Sequence, residues 1–219
     1  MFSFRAWSFS ALLCVFFACN DGKRYHETAT ADPVPQTLPT RGLEAIKHFQ
    51  EELNTEFLDP DISPLTEAER SQFKGLDYFP PDTTYQVEAR LVRTPQALPF
   101  DMPTTTTRIS RERQYGTLYF ELDGASYQLK VYQNLELMEQ AGYEDYLFLP
   151  FTDNTNGTDS YTGGRYIDLR IPGGDQLLLD FNRAYNPYCA YNAKFSCPIV
   201  PRENHLDLEV RAGVMKYRP

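Results

Sequence analysis

An alternation of apolar and polar residues beginning near residue 85 constrains the fold of this chain more than any other feature. Tyr85, Val87, Ala89 and Leu91 share one face of a predicted strand, because successive side chains in a strand point to opposite faces. Short runs of similar character, bounded by turn residues, predict further strands at residues 115–122, 126–133, 146–151, 165–171, 176–182 and 206–212.

Two glycine-containing dipeptides predict how neighbouring strands connect. Asp123-Gly124 suits the positive φ angles of a tight hairpin turn. Gly173-Gly174 predicts a second hairpin, which would join the strands at residues 165–171 and 176–182. Many short strands at such spacing favour an antiparallel arrangement over a parallel α/β fold.

Helical patterns come before the strands. Apolar residues recur at helical spacing after Thr40, which is a suitable N-cap, and Pro60 marks the end of this helix. Thr66 and Glu69 form a capping-box pattern that opens a second, short helix, which Gly75 would close. The sequence therefore predicts a mainly β, β-rich α+β fold: an antiparallel sandwich or partly closed barrel with one or two N-terminal helices.

The N-terminus has the pattern of a targeting segment. Arg5 supplies a positive start, residues 7–17 are mostly apolar, and Ala18 is the small residue before a cleavage point. This apolar run is shorter than the roughly 20 residues that a helix needs to cross a bilayer. We therefore predict that residues 1–18 are a signal peptide and not a membrane span.

Cys19 is the predicted site of lipidation. Phe16-Phe17-Ala18-Cys19 resembles the bacterial lipobox, whose cysteine is acylated and becomes the new N-terminus. Cys14 fits less well because the bulky Leu13 precedes it. The alternative is plain secretion, with Cys19 an incidental part of the signal. Lipidation predicts a membrane-anchored lipoprotein of the bacterial cell envelope.

The composition after the signal peptide separates a tether from a folded domain, and the net charge limits the kinds of partner that the chain can bind. Residues 19–40 are polar and proline-containing, which predicts a lipidated, disordered tether, and residues 41–219 are predicted to be a single β-rich domain. The formal net charge is −9, and Lys and Arg are not clustered. This charge argues against nucleic acid or anionic headgroups as partners, so membrane contact is expected through the lipid alone.

Residues 150–204 are rich in Asn, Asp, Tyr, Gly and Pro, and they contain the candidate site. Alternation along the predicted strands at residues 165–171 and 176–182 would point several polar and aromatic side chains toward one cavity. Such residues also satisfy buried backbone groups in irregular loops, so a purely structural role is the competing interpretation. The candidate ligand-binding residues are Arg165, Tyr166, Asp168, Asp180, Asn182, Tyr185, Asn186, Tyr191, Asn192, Glu203 and Asn204.

The same region carries a family resemblance. Gly164-Arg165-Tyr166-Ile167-Asp168, the run of residues 180–187, the cysteine pair and Glu203-Asn204 resemble the bacterial and archaeal family catalogued as "domain of unknown function 1684". The resemblance extends more weakly upstream to residues 75–80. It implies the identity of the domain but no activity, because the family has no established one.

Cys189 and Cys197 are predicted to form a disulfide, since an exported chain meets an oxidising compartment and few other cysteines are present. A redox couple or a pair of thiolate metal ligands are the alternatives. His205 alone does not complete a zinc site. The loop at Asp153–Asp159 has a calcium-loop composition but fails the EF-hand spacing. No metal or cofactor is therefore predicted.

Two classes of function remain open from the sequence. A binding module would hold a small polar ligand, such as a glycan or peptide fragment, through tyrosine faces and hydrogen-bonding side chains. A carboxylate-based hydrolase would need Asp168 poised against Asp180 or Glu203. The chain has no familiar nucleophile motif or phosphate loop. The sequence therefore favours binding.

Overall fold

A computed structural model describes residues 40–218. The predicted signal peptide, Cys19 and the tether up to residue 39 lie outside the described residues. Within residues 40–218, no helix combines the length and apolarity needed to cross a membrane.

Two helices begin the described part of the chain. Helix α1 spans Leu43–Leu58 and buries Ile46, Leu53 and Phe57. Its N-cap is Gly42, with φ of 91° and no side-chain cap, so the predicted capping by Thr40 is wrong. Helix α2 spans Glu67–Gln72, and its predicted capping box is confirmed.

The sheet is antiparallel apart from one short pair, and it curls into a half-barrel, which confirms the predicted mainly β class. Its strands are β1 Gln86–Arg93, β2 Phe100–Pro103, β3 Ile109–Leu122, β4 Ala125–Asn134, β5 Tyr146–Asp153, β6 Arg165–Arg170, β7 Gln176–Asp180 and β8 His205–Leu206. The main path of the sheet runs β6-β5-β4-β3-β1-β7, with β2 added to β3 and β8 lying parallel to β5.

Only one of the two predicted hairpins forms. Asp123 and Gly124 have φ of 52° and 74°, as a tight turn with two positive φ angles requires, and they join β3 to β4. Strands β6 and β7 do not pair, because β6 lies against β5 and β7 against β1 at opposite ends of the path. The predicted hairpin at Gly173-Gly174 is therefore wrong, and neither glycine has a φ in the left-handed region.

The last predicted strand is also largely absent. Only His205–Leu206 pairs, with Thr152 and Asp153 of β5, while the chain from there to residue 212 runs without a strand partner. A buried arginine side chain takes over some of its hydrogen bonds, as described below. Because this side chain satisfies backbone groups that a neighbouring strand would otherwise satisfy, the segment lies outside the sheet although its apolar pattern is strand-like.

Side chains on β5 pack into two buried clusters. Leu147, Leu149 and Phe151 join an aliphatic core that also contains Leu118, Leu129, Val131 and Ile167. Tyr146 and Phe148 join an aromatic core with residues of α1 and of the C-terminal loops, including Phe57, Tyr166, Tyr185, Tyr188 and Tyr191. Because side chains alternate along a strand, neighbouring residues of β5 and β6 enter different cores.

Candidate ligand-binding site

Strand β6 separates the predicted site residues onto two faces. Arg165 contacts Phe151 of the aliphatic core, with its guanidinium carbon 5.3 Å from the ring centroid. Tyr166 lies in the aromatic core, and Asp168 contacts two tyrosines of that core. The predicted residues therefore do not converge on a single cavity.

Arg165 is fully buried and binds the C-terminal segment. Its Nη2 donates to Asp153 Oδ2 and to the carbonyl oxygen of Val210, both at 2.8 Å, and its Nη1 donates to the carbonyl oxygen of Ala212. Burial lowers the pKa of Arg165, and the adjacent Asp153 carboxylate opposes this shift. These contacts favour the structural interpretation of Arg165.

Asp180 and Asn182 stabilise the end of β7. Asp180 Oδ1 accepts from the backbone N–H of Asn182 at 2.9 Å, and its Oδ2 accepts from Gln86 Nε2 at 2.8 Å. Asn182 Nδ2 donates to the carbonyl oxygen of Asp82 at 2.8 Å. Both side chains thus bind groups inside the fold and make no hydrogen bond to Asp168.

The other predicted amides also bind the main chain. Asn204 is fully buried and joins β4 to β5 through Lys130 N at 2.9 Å, Lys130 O at 2.8 Å and Pro150 O at 2.7 Å. Asn186 donates to the carbonyl oxygen of Met215 at 2.9 Å and to the Tyr191 hydroxyl at 3.3 Å.

The two remaining predicted residues lie near the surface. Asn192 Oδ1 accepts from the backbone N–H of Lys194 at 3.1 Å, and Glu203 forms an exposed ion pair with Lys130 at 3.1 Å. Neither side chain makes a hydrogen bond to Asp168.

Asp168 differs from the other predicted site residues, because its side chain accepts hydrogen bonds from two tyrosine hydroxyls of the aromatic core. Tyr146 and Tyr185 each donate to the same carboxylate oxygen, Oδ1, at 2.6 Å. Burial and the Asp168 charge raise the pKa of Tyr185 well above its ordinary value, so this phenol remains a donor at neutral pH. The second oxygen, Oδ2, accepts no hydrogen bond from residues 40–218, and Asp168 itself is half-buried. We refer to Asp168, Tyr146 and Tyr185 as the carboxylate clamp.

Aromatic rings surround the clamp. Tyr166 packs edge to face against Phe148, with centroids 4.7 Å apart, and against Tyr185 at 5.9 Å. In the sheet register Phe148 lies between Asp168 on β6 and Tyr132 on β4. Burial raises the pKa of Tyr132, whose hydroxyl finds no partner among the described residues. These rings are buried against one another, so the half-buried Asp168 carboxylate is the group of this cluster that is most accessible to a ligand.

Besides Asp168, the structure contains a buried carboxylate on β3 that the sequence did not predict. Glu112 is fully buried, and its Oε1 accepts from Ser110 Oγ at 2.7 Å and from Asn134 Nδ2 at 2.8 Å. Glu112 and Asn134 are direct cross-strand partners. The run Ser110–Gln114 has the polar composition of a solvent-exposed segment, so no local signal indicated that Glu112 is buried.

The two cysteines lie side by side, but they are free thiols in the structure, so the predicted disulfide is not formed there. The backbone N–H of Cys189 donates to Cys197 Sγ at 3.2 Å. Tyr161 contacts Cys189 Sγ through its hydroxyl at 3.9 Å. Within the described residues, no group of three or more His, Cys, Asp or Glu side chains is placed to hold a metal ion.

Comparison with known proteins identifies the family. The family described as "Protein of unknown function (DUF1684)" matches residues 71–215, which contain the carboxylate clamp, Glu112 and both thiols. The chain belongs to this family. The resemblance noted in the sequence is thereby confirmed, and the DUF1684 match carries no activity with it.

Among the solved structures that resemble the chain is one that matches it over most of its length. It is the solution NMR structure of an uncharacterized protein of Haloarcula marismortui, which is 38% identical, with a TM-score of 0.61. The alignment covers 78% of this chain and 91% of the archaeal one. None of the curated proteins matches. The likeness indicates that the two chains share a fold and assigns no function to either.

Proposed function

We propose that this domain is a binding module for a small polar ligand, such as a glycan or peptide fragment, with the carboxylate clamp as its anchor. The observation that carries the proposal is the state of Asp168: two tyrosine hydroxyls fix one oxygen, and the other accepts no hydrogen bond from residues 40–218. A carboxylate held in this way is pre-organised to accept hydrogen bonds from a ligand, and charge-assisted hydrogen bonds are the strong ones.

The surroundings support a ligand that donates hydrogen bonds to the carboxylate. Tyr166, Phe148 and Tyr185 are buried beside Asp168 and hold it in place, so the half-buried carboxylate is the group most accessible to a ligand. The acidic chain also favours ligands that carry hydroxyl, amide or ammonium donors.

No observation favours the alternative, a carboxylate-based hydrolase. That reaction requires a second carboxyl group across the scissile bond from the first. The two partners suggested by the sequence have other contacts: Asp180 binds Gln86 and Asn182, and Glu203 pairs with Lys130. Binding is therefore the function that the site supports best.

The test compares Asp168→Asn with a matched control, Asp159→Asn. Asp159 lies between β5 and β6 and forms a surface ion pair with Arg211 at 2.9 Å, so its replacement changes the charge equally at a residue that makes no hydrogen bond to the clamp. The probes are chitotetraose and the disaccharide–pentapeptide unit of peptidoglycan, screened by thermal shift and measured by calorimetry. We expect at least one probe to raise the melting temperature of the wild type, and Asp168→Asn to weaken its binding by roughly tenfold or more.

Three results would contradict the proposal. If neither probe binds the wild type, the ligand class is wrong. If binding survives Asp168→Asn, or falls equally in Asp159→Asn, the clamp is not the anchor.

We also propose that the protein is anchored in the bacterial cell envelope by lipid on Cys19. The lipobox-like residues 16–19 and the polar stretch after them support this proposal. Stable anchoring takes more than one acyl chain, which a lipidated N-terminal cysteine would provide. Cys19→Ser should move the protein from the membrane to the soluble envelope fraction, and continued membrane association of this variant would rule the anchor out.

A further inference from the structure

We propose that Cys189 and Cys197 form a reversible dithiol–disulfide couple, in which Cys189 is the attacking sulfur and Cys197 the resolving one. The inference is independent of the proposed binding function. It rests on the placement of the two thiols, on their unequal exposure and on the groups that surround them.

The two sulfurs differ in access. Cys197 is 7% exposed, whereas Cys189 is half-buried and lies on the short 3₁₀ turn Tyr188–Ala190. An external disulfide therefore meets Cys189 first. Reactive cysteines are typically partly exposed, while fully buried ones are inert.

The chain around Cys197 is held firmly in place. Its backbone N–H donates to Thr105 Oγ1 at 3.1 Å, and its carbonyl oxygen accepts from the N–H of Thr105 at 2.9 Å. The preceding residue, Ser196, accepts hydrogen bonds from Arg108 at 3.0 and 2.8 Å. Since Cys197 is fixed and already next to Cys189, closing the couple requires movement mainly of the short turn that carries Cys189.

The surroundings favour the thiolate of Cys189. A hydrogen bond with the Cys197 thiol, helped by Tyr161 and Thr105, lowers the pKa of Cys189 to about 7 against the opposing effect of burial. Burial and the neighbouring cysteines raise the pKa of Tyr161 to about 12, so the phenol keeps its proton as Cys189 ionises. The hydrogen bond with Cys189 and burial raise the pKa of Cys197. The pair therefore has one nucleophile and one proton-bearing partner.

The oxidant is a low-molecular-weight disulfide, such as oxidised glutathione, or an exposed disulfide of another protein. The Cys189 thiolate attacks one of its sulfurs, forming a mixed disulfide and expelling one thiolate. Cys197 then loses its proton to solvent, and its sulfur attacks Cys189 Sγ, breaking the mixed disulfide and expelling the second thiolate. Two cysteine thiols are oxidised, and the external disulfide is reduced to two thiols.

The couple adjoins the aromatic core. The hydroxyl of Tyr166 donates to the carbonyl oxygen of Pro198, the residue that follows Cys197. Tyr188, which precedes Cys189, packs against Phe195 with ring centroids 5.2 Å apart. Oxidation and reduction therefore act on a loop that contacts the candidate ligand-binding site.

The test uses the reduced full-length chain with oxidised glutathione, an acid quench, alkylation by iodoacetamide and peptide mass mapping. Mapping assigns every modification to its own cysteine, so Cys14 and Cys19 do not enter the result. In the wild type we expect Cys189 and Cys197 to lose alkylation together and to appear as one disulfide-linked peptide pair, which reductant reverses.

Two variants test the order of attack. Cys197→Ser should accumulate the mixed disulfide of Cys189 with glutathione, because the resolving sulfur is missing. Cys189→Ser should leave Cys197 reduced, or modify it roughly tenfold more slowly. A brief pulse of limiting iodoacetamide on the reduced wild type, which needs no variant to fold, should label Cys189 in preference to Cys197.

The proposal is overturned if the wild type forms no linked peptide pair under glutathione conditions that oxidise a reference dithiol. It is also overturned if Cys197 is labelled as fast as Cys189 in the pulse, or if Cys189→Ser traps glutathione on Cys197 as readily as Cys197→Ser traps it on Cys189.

Discussion

Replacing Arg165 with methionine should remove a large part of the domain's stability. Arg165 and Asp153 are both fully buried and 2.8 Å apart, and Arg165 also donates to the carbonyl oxygens of Val210 and Ala212. Methionine fills a similar volume but leaves the Asp153 carboxylate without its cation. Removing one partner of a buried ion pair typically costs about 3–5 kcal/mol, a large part of the roughly 5–15 kcal/mol that stabilises a whole domain.

A double-mutant cycle separates the ion pair from the other contacts. Asp153→Asn keeps an oxygen for the N–H of Thr155, which Asp153 Oδ1 accepts at 2.8 Å, but removes the charge. Because the two groups touch, the combined loss of Arg165→Met and Asp153→Asn should be smaller than the sum of the single losses by roughly 1–3 kcal/mol. The loss in the free energy of unfolding that Arg165→Met still causes in the Asp153→Asn background reflects the hydrogen bonds to the carbonyl oxygens of Val210 and Ala212.

Urea denaturation followed by circular dichroism measures the free energy of unfolding of each variant. Arg170→Met is the matched control, because Arg170 lies on the same strand and its ion pair with Asp145 is exposed. Its loss should be about 0–1 kcal/mol. A loss below about 1 kcal/mol for Arg165→Met, or an additive cycle, would refute the reasoning.

Three further predictions concern the start and the end of the domain. Glu69 accepts hydrogen bonds from the hydroxyl and the backbone N–H of Thr66, and these lower the pKa of Glu69. The stabilisation by Glu69 is therefore fully present above the ordinary pKa of 4.5, and it is lost as the pH falls through the lowered pKa. The stability difference between the wild type and Thr66→Ala, about 1 kcal/mol at neutral pH, should therefore shrink in acid when measured by urea titration; a difference that grows would contradict it. Joining Cys189 to Cys197 closes a short loop and should stabilise the oxidised domain over the reduced one by ~2.5 kcal/mol in urea titrations; equal free energies of unfolding for the two forms would contradict this. Asn204→Leu leaves three buried backbone groups unpaired and should destabilise by about 3 kcal/mol or more in the same titration, whereas a loss near zero would mean that those groups find other partners.

Local signals predicted the elements whose formation depends on nearby residues. The capping box at Thr66 and the turn at Asp123-Gly124 each need only a few adjacent side chains, and both form as predicted. The predicted hairpin at Gly173-Gly174 failed, because strand pairing is decided by the whole sheet. Strand β7 reaches β1, whose Gln86 also binds Asp180, and β6 reaches β5. Loop composition contains no information about these distant partners.

The candidate site shows the same limit more sharply, because polar residue types look alike in sequence whether they bind backbone or ligand. Arg165, Tyr166 and Asp168 lie within one short stretch, yet the two-residue period of a strand places Arg165 in the aliphatic core and Asp168 on the aromatic core. What distinguishes Asp168 is supplied from elsewhere: Tyr146 comes from the neighbouring strand and Tyr185 from the loop after β7. The hydrogen-bond acceptors of Arg165 all belong to the folded chain. By contrast, one carboxylate oxygen of Asp168 accepts no hydrogen bond from residues 40–218. Arg165 thus supports the C-terminal segment, and Asp168, three residues along the strand and on its other face, is the better candidate for contact with a ligand.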